Sequence, residues 1–399
     1  MMKVILVSLL VFVSEALQDV GSPGWTCDLE VMKKSKTIPT SAHSVRFADI
    51  EYIAALGDSL TAANGAGASP NDPVAILLQY RGLTFSLGGD KSLDEHVTLA
   101  SEFIVVHHRI IVFLCIMANK SLILNILKKF NPDVFGWSIG TGSADAWNKA
   151  RLNAGIPGAR SGDLSDQAND VIRRIKEHPE IDYMNKWKLV HIFIGGNDMC
   201  AYCNSPDTEN ADKFGDNIKA AVQIMKDNLP KTIVVLTGMF DMSMLRKIDK
   251  TDVFCQGLHL FECKCESDTD FTDQEIHDAS KLYMAAEQKL QDSGMFDTTD
   301  DFTLVIQPFF NDLTQPPSKP DGTVNLDFFA ADCFHFSQLG HAMTAKNLWN
   351  NLVQAVGKKN TLADVNDLDV ALQCPDKSCP FIRTTKNSKD CSKYMTPAA

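Results

Sequence analysis

Residues 52–60 read Tyr-Ile-Ala-Ala-Leu-Gly-Asp-Ser-Leu. The run Tyr52–Leu56 is short, apolar and closed by Gly57-Asp58, as expected of a buried strand that ends in a turn. Thr61-Ala62-Ala63-Asn64-Gly65 continues it as a turn or helix start. A serine at such a junction lies at the carboxyl edge of a sheet, where open α/β folds place their sites. Four further runs have the same character: Val134–Ser138, Leu189–Ile194, Thr232–Thr237 and Leu304–Gln307. The segments between them carry a helical period. Leu164, Ala168, Val171, Ile172 and Ile175 share one face, and Ile218, Ala221, Val222 and Met225 share another. A third stripe, Ala342, Ala345, Leu348, Trp349, Leu352, Val353 and Val356, is closed by Gly357. Strands alternating with helices predict an α/β fold with a mainly parallel sheet and core-facing helix stripes. No internal repeat is visible.

The chain has 399 residues, 45% hydrophobic and 22% charged, enough for one large α/β domain or two smaller ones. Its formal net charge of −12 offers no electrostatic attraction to nucleic acid or anionic lipid, and no basic run interrupts it. Met1-Met2-Lys3, the apolar stretch Val4–Val13 and the small residues Ser14 and Ala16 read as a signal peptide over 1–16, cut after Ala16. Eleven cysteines fit an oxidising compartment. Cys200-x-x-Cys203 and Cys263-x-Cys265 lack histidines at finger spacing, so disulfides are expected rather than zinc. The odd count leaves one cysteine over. The segment 374–399 is polar, with no transmembrane anchor, so a secreted, soluble product is expected. Residues 103–127 are unusually apolar, but the longest uninterrupted run, Ile110–Ala118, is too short to span a bilayer. The adjacent His107 and His108 there are poorly placed to share a metal ion.

Four blocks carry chemistry. Gly57-Asp58-Ser59-Leu60 offers a nucleophile. Asn153-x-Gly155-x-x-Gly158-Ala159, ahead of a helix, offers backbone that can approach an anion closely. Gly195-Gly196-Asn197-Asp198, after a strand, offers an amide donor. Asp332-Cys333-Phe334-His335, ahead of another helix, lets a carboxylate turn back and fix the imidazole tautomer. Any one of these is an ordinary polar turn. In this order, each after a strand or at a helix start, they supply a nucleophile, base, orienter and oxyanion donors for acyl transfer.

The order of these blocks resembles the SGNH (GDSL) hydrolase superfamily, and the wording around them resembles its phospholipase B branch. The stretches YIAALGDSLTAANGAGA (52–68), NPDVFGWSIGTG (131–142), GIPGARSGDLSDQA (155–168), IFIGGNDMCAYC (192–203) and DCFHFSQLGHAMTAKNLWNN (332–351) carry that likeness, which runs from about Ala48 to Cys379. It implies a three-layer α/β/α sandwich, flavodoxin-like in strand order, with a parallel sheet of about five strands. It also implies Ser59 as nucleophile, His335 as general base and then acid, and Asp332 as its orienter. The Ser59 N–H, the Gly158 N–H and the Asn197 side chain would bind the oxyanion, with no metal or organic cofactor. The implied layout is an extension over 17–47, a hydrolase domain over 48–373 and a cysteine-bearing tail over 374–399.

Members of the branch with several repeats carry a membrane anchor, whereas this chain resembles one repeat. The branch also runs from a stretch like Thr98-Leu99-Ala100 almost directly into Asn125-Ile126-Leu127. Residues 101–124 therefore read as an insertion, from translated intron sequence or a splice variant. The insertion holds Cys115, whose removal leaves ten cysteines for five bridges, and the sequon Asn119-Lys120-Ser121. The expected substrate is a phospholipid or other lipid ester at an interface. The competing expectations are a carboxylesterase on acetylated sugars or small esters, and a non-catalytic secreted lipid-binding protein.

Overall fold

The structure, a computed structural model, describes residues 17–69, 72, 74–100 and 126–399. The predicted signal peptide and insertion, with Cys115 and the sequon, lie outside the described residues.

Among the described residues four strands form one parallel sheet in the order β1 (Ile50–Gly57), β2 (Trp187–Phe193), β3 (Thr232–Thr237) and β4 (Phe302–Gln307). Nearly every strand residue is buried, as in a parallel sheet covered on both faces. The run Val134–Ser138 does not become a fifth laddered strand. Gly136 takes a φ of +118° and lies so close to β1 that a Cβ there would meet the Ile53 carbonyl oxygen at 2.0 Å. The run is kinked at that point and contributes isolated bridges, Phe135 to Tyr52 and Ser138 to Gly88. It still lies along the free edge of β1, with Ile53 N–H donating to the Phe135 carbonyl at 2.9 Å. Counting it, the order is that of a flavodoxin-like sheet, whose switch point falls between β1 and β2.

Seven helices matter for the site: α1 (Ser59–Ala62), α2 (Leu164–Glu177), α3 (Gly196–Tyr202), α4 (Ala211–Asn228), α5 (Val253–Glu262), α6 (Asp273–Asp292) and α7 (Gln338–Val353). Helices α2, α4 and α6 pack side by side, and the predicted stripes on α2 and α4 are buried. On α7, Trp349 packs at 4.5 Å between ring centroids from Phe47 and 5.4 Å from Phe130. Every residue of α7 is buried, so the predicted stripe is one side of a fully covered helix. The helix also ends earlier than expected, at Val353. The Lys359 ammonium takes the carbonyls of Asn351 and Gln354, and Gln354 is extended, leaving Val356 outside.

Ten cysteines pair as Cys27–Cys374, Cys200–Cys263, Cys203–Cys265, Cys255–Cys333 and Cys379–Cys391. The first, with bridges from Ser35 to Ala398 and Arg46 to Phe381, ties the segment before β1 to the end of the chain.

On either side of residues 101–125 the backbone meets itself. Leu127 N–H donates to the Leu99 carbonyl at 3.1 Å, and both side chains are fully buried. Deleting 101–124 should therefore leave a junction that closes without rearrangement, because the flanking residues Leu99 and Leu127 already lie together. The shortened chain is expected to fold with its melting temperature unchanged or raised, as followed by circular dichroism. An aggregated or unfolded product would show that the segment is integral to the fold.

Candidate active site

Strand β1 delivers Ser59 to the carboxyl edge of the sheet. Gln167 holds the turn by both ends of its amide, accepting from Gly57 N–H at 2.8 Å and donating to the Gly57 carbonyl at 2.9 Å. A Cβ on Gly57 would meet the Phe193 carbonyl oxygen at 2.3 Å, so the close approach of β1 and β2 at this point requires glycine. The Asp58 carboxylate caps α1 through Leu60 N–H at 2.9 Å. Burial pushes the Asp58 pKa up to about 7.

The loop between β4 and α7 brings the other two residues of the predicted triad to the serine. Ala330 N–H donates to the His335 carbonyl at 2.7 Å, and Cys333 N–H to the Ala330 carbonyl at 2.9 Å. Cys333 has a φ of +63°, a conformation costly for a residue with a side chain, and its disulfide to Cys255 on α5 anchors it there. Asp332 and His335 consequently face each other. His335 Nδ1 lies 2.7 Å from Asp332 Oδ2, and His335 Nε2 lies 2.8 Å from Ser59 Oγ. Asp332 Oδ1 accepts from the backbone N–H groups of Phe334 and His335, each at 3.0 Å.

The electrostatics suit a base that must take up and release a proton. Burial opposes ionisation of Asp332, but the His335 ring and the two backbone donors outweigh it and hold its pKa below the usual carboxylate value. Burial likewise opposes charge on His335, yet Asp332, with Glu262 and Asp58 behind it, raises the His335 pKa above its ordinary value.

The two predicted oxyanion contributors line the adjoining surface. Asn197 begins the first turn of α3, and its amide donates one hydrogen to the Ala159 carbonyl at 3.0 Å, leaving the second hydrogen available. Gly158, with φ +78°, has nothing within 4 Å of where a Cβ would stand. Ser59 and Asn197 share a tight slot walled by Phe240, Phe329, Phe334 and Phe336. Asn197 and Gly158 share the cavity beside it. The arrangement offers a hydroxyl, a base, an orienting carboxylate and donors facing apolar space, the parts of an acyl-transfer site.

Residues 53–348 match the model of the GDSL-like lipase/acylhydrolase family, most of the chain. The chain belongs to that family. Its fold carries the family's blocks at the sheet edge. Curated relatives are the membrane-associated phospholipase B1 proteins of human, 37% identical over 359 residues, and of rat, 36% identical over 359 residues. Each alignment covers 89% of this chain and 23% of the relative, so the chain spans under a quarter of their length. A putative GDSL-like lipase of known structure from Parabacteroides merdae aligns over 78% of this chain and 99% of its own. It is 12% identical, with a TM-score of 0.30, a likeness too distant to build on.

Three residues that support this site carry little or no signal in the sequence. Arg81 is fully buried and clamps the glycine loop, its Nη1 at 2.9 Å from Asn153 Oδ1 and its Nη2 at 2.6 Å from the Gly155 carbonyl. Asn153 in turn donates to the Thr61 carbonyl at 2.9 Å, tying that loop to α1. Nothing around Arg81 in sequence marks it. Gln167 did leave a signal, as a polar residue on the buried stripe of α2. Glu262, the last residue of α5, approaches the Asp332–His335 pair, the three side chains offering atoms within 4.8 Å of one another. Burial, with the Asp332 charge, pushes the Glu262 pKa up to about 7.

Glu262 helps to hold a proton on His335, whereas a general base acts only when neutral. Glu262→Gln removes that negative charge, so the His335 pKa falls. The acid limb of kcat/KM on a soluble p-nitrophenyl ester is expected to move to lower pH. A limb that stays in place or moves upward would exclude Glu262 from the electrostatics of the base.

Proposed function

We propose that the protein releases fatty acids from glycerophospholipids or lysophospholipids through an acyl-enzyme on Ser59. The observation that carries this reading is the continuous Ser59–His335–Asp332 hydrogen-bond chain opening onto an aromatic-walled slot. His335 Nε2 takes the Ser59 proton as Oγ attacks the ester carbonyl. The developing oxyanion is met by the Ser59 N–H, the Gly158 N–H and the Asn197 amide. Collapse of the adduct expels the alkoxide, which leaves with the proton held on His335. Water, deprotonated by the same ring, then frees the fatty acid and regenerates the serine. Asp332 stays ionised throughout and stabilises the imidazolium.

The phospholipid class is supported by the phospholipase B1 relatives and by the apolar, aromatic walls beside Ser59. Secretion is supported by the five disulfides and by the signal-peptide pattern at 1–16. Among the described residues no helix is long and apolar enough to cross a membrane.

The test is product analysis on phosphatidylcholine and lysophosphatidylcholine, with the His335→Ala protein as control. Free fatty acid released by the wild type alone is the expected result. Release from neither substrate by protein that turns over a p-nitrophenyl ester would remove the phospholipid assignment and leave the esterase.

A further inference from the structure

Two cavities of opposite character diverge from Asn197. The slot that contains Ser59 is walled by phenylalanines. The second, about 280 Å³, is bounded by Gly158 and Asn197 on the oxyanion side and by Arg160, Lys264, Asn204 and Ser205 further out. An ester whose carbonyl oxygen points between Gly158 and Asn197 has its acyl and alkoxy arms on opposite sides of that point. The apolar side of that point is the phenylalanine-walled one, so the acyl arm lies toward it and the alkoxy arm toward the polar cavity.

We infer that this polar cavity receives the phosphodiester of the substrate's headgroup, with Arg160 and Lys264 as its cationic contacts. The inference rests on the acyl-enzyme reading above and adds where the remainder of the substrate lies.

Arg160 is held at its side chain, and Lys264 is held at its backbone. The Arg160 guanidinium is set by Glu209 at 2.9 Å, and its backbone N–H is fixed by Asp163 at 2.8 Å. Lys264 lies between Cys263 and Cys265, which are bridged to Cys200 and Cys203. Cys200 belongs to α3, the helix that carries Asn197, and Cys203 directly follows it. The lysine is thereby stapled beside the oxyanion donor, with its own side chain exposed. On a chain of net charge −12, two cations border one cavity next to the reacting atoms, the Arg160 cation already paired with Glu209. A phosphodiester is matched by a guanidinium and an ammonium together. Glu262 is the carboxylate in the lining, and it also faces the Asp332–His335 pair.

The experiment compares kcat/KM on lysophosphatidylcholine with kcat/KM on the monoacylglycerol of the same acyl chain, which lacks the phosphate. It uses the full-length protein and its Arg160→Gln, Lys264→Gln, doubly substituted and Lys264→Arg variants. Each charge removal is expected to lower the lysophospholipid-to-monoacylglycerol ratio by about tenfold, the weight of one charge-assisted hydrogen bond. Lys264→Arg should keep the ratio near that of the wild type. Fluorophosphonate labelling shows in each case that the serine site has formed. A doubly substituted protein that labels normally and keeps the wild-type ratio within about twofold overturns the headgroup site alone. A wild type that cleaves monoacylglycerol but no lysophospholipid overturns the headgroup site and the phospholipid reading together.

Discussion

Replacing Ser59 with alanine is expected to reduce kcat on a soluble ester by about 10⁶-fold, to the level set by the remaining oxyanion donors. The hydroxyl is the atom His335 Nε2 faces at 2.8 Å, and among the described residues no other serine or cysteine is placed against that ring by the hydrogen bonds around it. The substitution deletes one buried oxygen from a side chain 5% exposed without leaving a large cavity. Folding should therefore be nearly unaffected, and circular dichroism melts should show it. Fluorophosphonate labelling of the wild type and none of the Ser59→Ala protein is the accompanying result. Retention of more than about a hundredth of the activity would mean that a different nucleophile does the work, since such a residue is too large to come from oxyanion stabilisation alone.

Asp332→Asn is expected to cost about 10⁴-fold in kcat while leaving the geometry intact, and the local hydrogen bonds indicate why. Asp332 Oδ1 accepts from two backbone N–H groups, and Oδ2 faces His335 Nδ1. An asparagine keeps its carbonyl on the two backbone donors and must turn its NH₂ toward Nδ1. That nitrogen then becomes an acceptor, the ring proton moves to Nε2, and Nε2 can no longer accept the serine proton. The same change removes the charge that raises the His335 pKa. The surviving activity should have its acid limb at lower pH than in the wild type. Steady-state kinetics across pH measures both effects. A loss under about tenfold would show that the carboxylate charge and the tautomer it selects are not needed.

The depth of the phospholipid reading depends on how the site is held, and much of that was legible beforehand. Short buried strands between amphipathic helices pointed to a parallel sheet, and the stripes on α2 and α4 are buried as their spacing requires. All five residues singled out for chemistry, Ser59, Gly158, Asn197, Asp332 and His335, come to one edge of the sheet. Val134–Ser138 stops short of a full strand because Gly136 must turn to φ +118° beside β1, which apolar content does not reveal. Val356 was placed on α7 because periodicity cannot see Lys359 capturing the last-turn carbonyls from outside the helix.

Local order of residues was enough to name the candidate reactive groups, because each stands at a strand end or helix start, and those boundaries are written in short-range propensity. Pairing and support were not contained there. Which cysteines join, how Arg81 locks the glycine loop, why Glu262 reaches the Asp332–His335 pair and why Lys264 stands beside Asn197 all depend on segments far apart in the chain meeting in space. Burial and charge at those meetings set the proton affinity of the base, and no window of sequence spans them.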